Sequence, residues 1–261
     1  MLRVGLVSFL NAWPLYQAFL VDSINTDYDF TQLFPSECAE MLRNKEIDIG
    51  IVPVIEYAYL PQEYVIVPSI CISSPDYVKS VALFCNKPLK EVKTVLLDKH
   101  SRTSNALLQI LLREKFKKEV QYGFDIRNFD AQIIIGDEAL FKEKELSGEV
   151  LDLAHEWKTF THLPFVFALW IGYREKITKE VVQNFIHAKE WGMTHIREIV
   201  DWFHVRFPYL TKEEYSNYLT LNVNYDLTEE KIKSIQLFLK WCYKLGLTPK
   251  DPPLNFFKPL H

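Results

Sequence analysis

The first 54 residues alternate strand-like and helical runs, and this order constrains the fold more than any other feature of the chain. Apolar, β-branched runs predict three strands, over residues 3–9, 28–34 and 47–54. Helical runs lie between them, and a β-α-β-α-β unit favours a parallel sheet with right-handed crossovers. Ligands on such sheets bind beyond the carboxyl ends of the strands. Asn11, Ser36 and Pro53 are predicted to lie at these ends, and Ser36 is also the candidate cap of the second helix.

A second set of strands and helices follows in the middle of the chain. Further strands are predicted over residues 64–73, 80–85, 92–97, 131–136 and 165–173. The remaining C-terminal part carries apolar residues at three- and four-residue steps, which predicts helices. Two α/β sets followed by helices indicate two lobes with a ligand cleft between them.

The lobe boundaries follow from where the chain would cross. The first lobe is predicted to hold both termini, residues 1–82 and 168–261, with the C-terminal helices packed on it. The second lobe would be residues 83–167, and the crossings would lie near 80–85 and 165–169.

Composition limits the partners and the compartment. The net charge of −4 gives no reason to expect nucleic acid or an anionic membrane surface, so local donors must hold an anionic ligand. Four widely spaced cysteines predict buried free thiols in a reducing compartment rather than disulfides. The chain opens directly on a strand, and its longest apolar stretch is too short to span a bilayer. We expect a cytoplasmic protein of undefined oligomeric state.

Three hydroxyl side chains and a guanidinium stand between the strand at 92–97 and the helix that follows it. They are Ser101, Arg102, Thr103 and Ser104. A helix start has unpaired N–H groups and partial positive charge, which suits an anion, and Arg can bind a carboxylate through two parallel hydrogen bonds. The alternative is a well-capped helix with a solvated Arg.

Four other polar residues are candidates for the cleft, each with a structural alternative. Asn11 can donate and accept at once, so it can orient a ligand hydroxyl or carboxylate, or else cap the turn that follows it. Ser80 heads a strand next to a predicted crossing, and it is otherwise a strand-edge serine. Asp137 is placed to cap a helix. Thr161 either reaches the cleft or caps a turn before Pro164.

Other chemistries find little support. His187 with Glu190, and His195 with Glu198, lie one helical turn apart, but they fit the solvated face of an amphipathic helix better than a metal site. The sequence lacks a glycine-rich phosphate loop and a nucleophile elbow, and Cys85 is better explained as a buried strand residue than as a nucleophile. We expect no metal and no nucleotide cofactor.

Four segments together resemble the signature segments of the chorismate dehydratase family, which opens the futalosine route to menaquinone. They are residues 3–15 (RVGLVSFLNAWPL), 97–104 (LDKHSRTS), 135–140 (IGDEAL) and 163–170 (LPFVFALW). The resemblance runs over nearly the whole chain. It implies a type II periplasmic-binding-protein fold used for catalysis, with chorismate as the small dicarboxylate substrate and no cofactor.

The resemblance also implies roles for individual residues. It assigns catalytic roles to Asn11 and Ser80, and substrate binding to the loop from Ser101 to Ser104. Ser8, Ser36, Asp137 and Thr161 are further candidates for substrate binding. Two positions depart from the family pattern: Phe9 replaces a usual Tyr, and His162 replaces a common Gly.

The implied reaction removes water from chorismate and leaves the aromatic 3-[(1-carboxyvinyl)oxy]benzoate. Much of the driving force resides in the substrate, so the protein must hold a reactive conformer, stabilise charge and assist the leaving hydroxide. No motif residue is an obvious general base, and the enolpyruvyl carboxylate of the substrate can take the proton. Three alternatives stay open: a non-catalytic solute-binding protein, the related 1,4-dihydroxy-6-naphthoate synthase, and the effector domain of a regulator.

Overall fold

The computed structural model describes residues 1–142 and 148–258, and within these ranges ten strands form two five-stranded sheets. The strands are β1 (Leu2–Val7), β2 (Tyr28–Leu33), β3 (Ile49–Pro53), β4 (Tyr64–Ser74), β5 (Val81–Cys85), β6 (Thr94–Leu96), β7 (Gln121–Gly123), β8 (Ala131–Ile135), β9 (Glu149–Asp152) and β10 (Phe165–Tyr173). The chain is therefore a two-lobed α/β protein, with one sheet in each lobe.

The two sheets share one plan of strand order. The first has the order β2-β1-β3-β10-β4, and the second has the order β7-β6-β8-β5-β9. In the first sheet β1 pairs in parallel with β2 and β3, whereas β10 is antiparallel to β3 and β4. In the second, β6 pairs in parallel with β7 and β8, and β5 is antiparallel to β8 and β9. The parallel pairing expected for the three N-terminal strands is confirmed, but the sheet as a whole is mixed because β10 and β4 complete it.

The chain crosses between the lobes at positions that differ from the predicted ones. Residues 80–85 and 165–169 were expected to cross, but β5 lies wholly in the second sheet and β10 wholly in the first. The connecting segments are residues 75–80 and 162–164. Both strands are largely buried within their sheets, so their apolar composition could not separate a crossing strand from a core strand.

Nine α-helices lie in the described ranges. They are α1 (Gln17–Leu20), α2 (Pro35–Arg43), α3 (Arg102–Ile110), α4 (Gly136–Lys142), α5 (Leu153–Thr161), α6 (Lys179–Thr194), α7 (Ile196–Arg206), α8 (Lys212–Asn217) and α9 (Glu229–Lys244). Short 3-10 helices span Leu10–Leu15, Val54–Ala58 and Leu89–Glu91, and π-helical turns span Leu111–Lys115 and Tyr218–Asn222.

Apolar side chains cover both faces of the first sheet. One core cluster contains α6 and α7 residues such as Phe185 and Phe203, packed with Trp170 of β10. The other contains Phe238 of α9 and extends into the second lobe through Trp157 of α5. The C-terminal helices therefore pack on the first lobe. All four cysteines are buried and free, as their spacing predicted.

Candidate active site

A cavity lies between the two lobes, at the carboxyl ends of parallel strands of both sheets. Its polar side chains come from both lobes and from the first crossing segment: Asn11, Ser80, Ser101, Thr103 and Ser104. Apolar residues complete the wall, among them Phe9, Ile72 and Phe167. Within the described residues, no charged side chain belongs to this lining.

The first lobe presents Asn11 on the 3-10 helix Leu10–Leu15, which directly follows β1. This helix is packed tightly against α6 at Gly192, where a Cβ atom would lie only 1.9 Å from the carbonyl oxygen of Pro14. Only glycine permits this approach, so α6 fixes the height of the turn above the sheet. Asn11 is thereby held at the edge of the cavity by packing outside it.

Ser80 lies at the end of the first crossing segment and is fully buried. Its Oγ accepts a hydrogen bond of 2.8 Å from the hydroxyl of Tyr218, which begins the π-helical turn after α8. Burial raises the pKa of Tyr218 above its usual range. Sequence reasoning missed Tyr218 because 138 residues separate it from Ser80 and no local motif surrounds it.

The second lobe contributes the start of α3. Ser101 caps this helix, because its Oγ accepts from the Ser104 backbone N–H at 3.3 Å, and its hydroxyl donates to Ser104 Oγ at 2.6 Å. Thr103 Oγ1 accepts the backbone N–H of Ile55, from the first lobe, at 3.2 Å. The side chains of Ser101, Thr103 and Ser104 are all buried.

These hydrogen bonds leave the hydroxyl groups of the cavity free to act as donors to a ligand. Ser80, Thr103 and Ser104 each accept a bond from within the protein, so each hydroxyl keeps its own proton for a ligand. The N-terminal end of α3 adds partial positive charge on the same wall. The site therefore offers donors without a cation, which suits a small anion.

Arg102 does not point into this donor set, contrary to the predicted carboxylate clamp. Its Nη1 lies 3.3 Å from Oε2 of Glu56, and Arg43 Nε lies 2.8 Å from the other oxygen, Oε1. Glu56 is completely buried, which raises its pKa, while the two guanidiniums oppose that rise. The Arg102 charge is thus directed to a buried carboxylate of the first lobe rather than to the cavity.

Asp137 was expected to cap α4, but its carboxylate bonds across the lobes instead. α4 begins one residue earlier, at Gly136, and Asp137 Oδ1 accepts the backbone N–H of Leu10 at 3.2 Å. Burial raises the pKa of Asp137 to about 7, and the Leu10 bond lowers it only in part. Asp137 is not part of the cavity lining. It holds the residue next to Asn11.

Two predicted serines also lie outside the cavity lining. Val7 and Phe9 line the cavity, and Ser8 lies between them, where alternation turns its side chain the other way. Ser36 is not a helix cap, because α2 begins at Pro35 with Phe34 at its N-cap. Pro35 reaches the cavity in place of Ser36.

Thr161 caps the turn before Pro164 rather than reaching the cleft. Its hydroxyl donates to the Trp157 carbonyl at 2.9 Å and accepts from the Leu163 N–H at 3.2 Å, which closes the turn at the end of α5. The next residue, His162, has φ +64°, a left-handed conformation that glycine adopts readily. The departure from the family pattern at His162 therefore lies at a helix end, outside the cavity.

Phe9, the other departure, lies against the second lobe. A Cβ atom on Gly136 would lie 2.7 Å from the Phe9 ring, so the ring packs directly on the Gly136 backbone. Across residues 1–142 and 148–258, no group of three or more His, Cys, Asp or Glu is arranged to hold a metal ion. None of the helices in these ranges is long and apolar enough to cross a membrane.

Two sheets of equal plan with a polar cleft between them define the class of periplasmic-binding-protein-like folds. Solved structures agree: a protein of Archaeoglobus fulgidus has a TM-score of 0.76 at 16% identity, covering 94% of this chain and 97% of that one. The alkanesulfonate-binding protein SsuA from Xanthomonas axonopodis, bound to MOPS, has a TM-score of 0.71 at 15% identity, with 96% and 94% covered. These likenesses show the fold.

Residues 2–244 match the model of a family described as menaquinone biosynthesis, and the chain belongs to that family. A chorismate dehydratase of Thermus thermophilus is 27% identical over 221 residues, which cover 76% of this chain and 80% of that protein. A chorismate dehydratase of Campylobacter jejuni is 22% identical over 259 residues, covering 93% and 98%. The resemblance seen in the four sequence segments is confirmed.

Proposed function

We propose that the protein is a chorismate dehydratase, which eliminates water from chorismate to give 3-[(1-carboxyvinyl)oxy]benzoate. The family and the two relatives support this activity. The observation that carries it is a set of neutral hydrogen-bond donors that line one cavity without a cation: Asn11 from the first lobe, and hydroxyls from the crossing segment and the second lobe.

Substrate binding is assigned to the start of α3. Ser101 shapes the helix end, and Thr103 and Ser104 donate to one carboxylate of chorismate together with free N–H groups of the first turn. Asn11 and Ser80, on the opposite wall, engage the leaving hydroxyl.

The elimination breaks one ring C–H bond and one C–O bond. The electron pair of the C–H bond enters the ring, which becomes aromatic. Hydroxide departs and receives the ring proton from the group that removed it, so that one water molecule leaves. The Ser80 hydroxyl donates a hydrogen bond to the departing oxygen, and the α3 donors stabilise charge that develops on the ring carboxylate. In the described part of the chain no Asp, Glu or His side chain lines the cavity, so the enolpyruvyl carboxylate of the substrate takes the ring proton.

We further propose that the enzyme works in the cytoplasm, on the futalosine route to menaquinone. The four buried thiols, none of them in a disulfide, are typical of a reducing compartment. Membership of the menaquinone biosynthesis family supports the pathway.

The test is direct. The purified protein is mixed with chorismate and EDTA, without nucleotide, and loss of chorismate and gain of the enol-ether benzoate are followed by liquid chromatography with mass spectrometry. We expect equal molar amounts of substrate lost and product formed. Calorimetric binding of chorismate without product would instead indicate a solute-binding protein. No binding and no product would refute a chorismate site altogether.

Asn11→Ala provides the first variant. It removes a polar group at the leaving end of the substrate, so we expect kcat to fall by about a hundredfold or more. Asn184→Ala is the matched control, because Asn184 donates to the Tyr28 hydroxyl at 3.0 Å and lies outside the cavity lining. Equal rates for Asn11→Ala and the control would remove Asn11 from the reaction.

A further inference from the structure

Tyr218 is buried behind the cavity wall rather than in it. Only 2% of its surface is exposed, and it is absent from the cavity lining. Its ring lies in the apolar core of the first lobe, and a Phe ring would fill the same space. The hydroxyl group is therefore the feature that distinguishes Tyr218 from an ordinary core aromatic, and a buried hydroxyl is costly unless it is bonded.

That hydroxyl has a defined hydrogen-bond direction. It donates to Ser80 Oγ at 2.8 Å, and Ser80 has its own backbone fixed because the Ser80 carbonyl accepts the Gly136 N–H at 2.8 Å. A serine hydroxyl rotates freely in the absence of partners. With one lone pair taken by Tyr218, the Ser80 proton is left to face the cavity.

We infer that Tyr218 is a positioning residue for the elimination: its hydroxyl orients Ser80 as a hydrogen-bond donor toward the leaving hydroxyl of the substrate. The inference rests on the proposed function. It assigns to Tyr218 no contact with the substrate, only control over Ser80, which lines the cavity. Tyr218 is thereby distinguished from the other buried tyrosines of the first lobe.

The test is Tyr218→Phe, which keeps the ring and removes the hydroxyl. We expect kcat to fall by about tenfold or more, because Ser80 loses its fixed orientation in the transition state, while the Kd for chorismate changes less than about threefold. Tyr225→Phe is the matched control. Tyr225 is also buried, and its hydroxyl has no hydrogen-bond partner among the described residues. We expect it to keep the wild-type kcat.

A double-mutant cycle separates positioning from a general loss of structure. In the Ser80→Ala background Tyr218 has no serine to orient, so Tyr218→Phe should lower kcat by less than about twofold further. Replacement of Tyr218 by 3-fluorotyrosine keeps the hydroxyl and should keep kcat within about threefold of the wild type. This variant also serves if Tyr218→Phe is recovered unfolded.

Three results would overturn the inference. The first is a wild-type kcat in Tyr218→Phe, and the second is a loss of kcat in the double variant equal to the product of the losses in the two single variants. The third is a 3-fluorotyrosine variant as slow as an unfolded or Phe-substituted protein. Each presumes that the wild-type protein converts chorismate, which is measured first on the same preparation. No conversion by the wild type refutes the proposed function itself. The two failures are therefore distinguishable.

Discussion

Asp137 carries a buried carboxyl group whose protonation is coupled to the folded state. Its pKa is raised from an ordinary value of 3.8 to about 7. Between these two pH values the folded protein binds more protons than the unfolded chain, so the raised pKa makes the free energy of unfolding fall as the pH rises from about 4 to 7. Above pH 7 Asp137 is ionised in both the folded and the unfolded state, so the free energy of unfolding stays lowered by the full cost of its charge in the fold.

Asp137→Asn removes that penalty and keeps an oxygen for the Leu10 N–H. We expect the variant to match the wild type near pH 4 and to exceed its unfolding free energy by about 2–4 kcal/mol at pH 8. Urea denaturation of both proteins across this range measures the difference, in which contributions from other carboxyl groups cancel. Parallel pH dependences would contradict the assignment. Turnover should stay within about threefold, because Asp137 lies outside the cavity lining.

The sequence identified some site residues and missed others, for physical reasons. Thr103 and Ser104 were predictable because a helix start sets its own hydroxyls beside its free N–H groups. The direction of Arg102 was not predictable, since it depends on Glu56, a buried partner in the other lobe. Tyr218 was not predictable for the same reason: its proposed role depends on a contact with Ser80 that only the fold creates.

At the scale of elements, the Ser101 cap stabilises α3 and also shapes the end of the helix that is proposed to bind the substrate. Ser101→Ala removes the Oγ that accepts the Ser104 backbone N–H. It also removes the hydroxyl that donates to Ser104 Oγ. We expect a loss of about 1 kcal/mol in unfolding free energy, and a KM for chorismate raised by about tenfold.

Thr178→Ala supplies the matched control for this cap. Thr178 caps α6 through the Val181 N–H at 3.2 Å, and it lies outside the cavity lining. It should cost a similar unfolding free energy and leave KM unchanged. Equal KM values for both variants, by steady-state kinetics, would mean that the α3 end does not bind substrate.

The elements themselves were predictable where their pattern was long. The N-terminal β-α-β-α-β order correctly gave three parallel strands, because each strand is an apolar run between clear helix signals. β7 and β9 are short and largely exposed, so they carry no periodic signal. The crossings were misplaced by a few residues because β5 and β10 are both apolar and buried, and only pairing with neighbouring strands decides which sheet each joins.

At the scale of the whole molecule, contacts between lobes surround the cavity. The Leu10 N–H bonds Asp137, the Ile55 N–H bonds Thr103, and Glu56 pairs with Arg102. Each joins a residue of the first lobe to one near a helix start of the second. The cavity walls are thus brought together by the same residues that neighbour the proposed ligand groups, so closure and binding are coupled.

Gly136→Ala should disturb the contact between the lobes and thereby weaken substrate binding. Gly136 has φ +66°, and the added Cβ would lie 2.7 Å from the Phe9 ring of the opposite lobe, so the lobes must separate or Phe9 must turn into the cavity. Either outcome should raise KM for chorismate by about tenfold or more. If the lobes separate, small-angle scattering with saturating chorismate should give a larger radius of gyration than the wild type gives.

Gly246→Ala is the control that separates the effect of backbone strain from the effect of the steric clash in Gly136→Ala. Gly246 has φ +72°, but nothing lies within 4 Å of a Cβ built there. Both variants should lose about 1 kcal/mol from the left-handed conformation, whereas only Gly136→Ala should change KM. The KM difference between two equally strained alanines then measures how far catalysis depends on the contact of Phe9 with Gly136. A wild-type KM in both would mean that substrate binds without this closed contact.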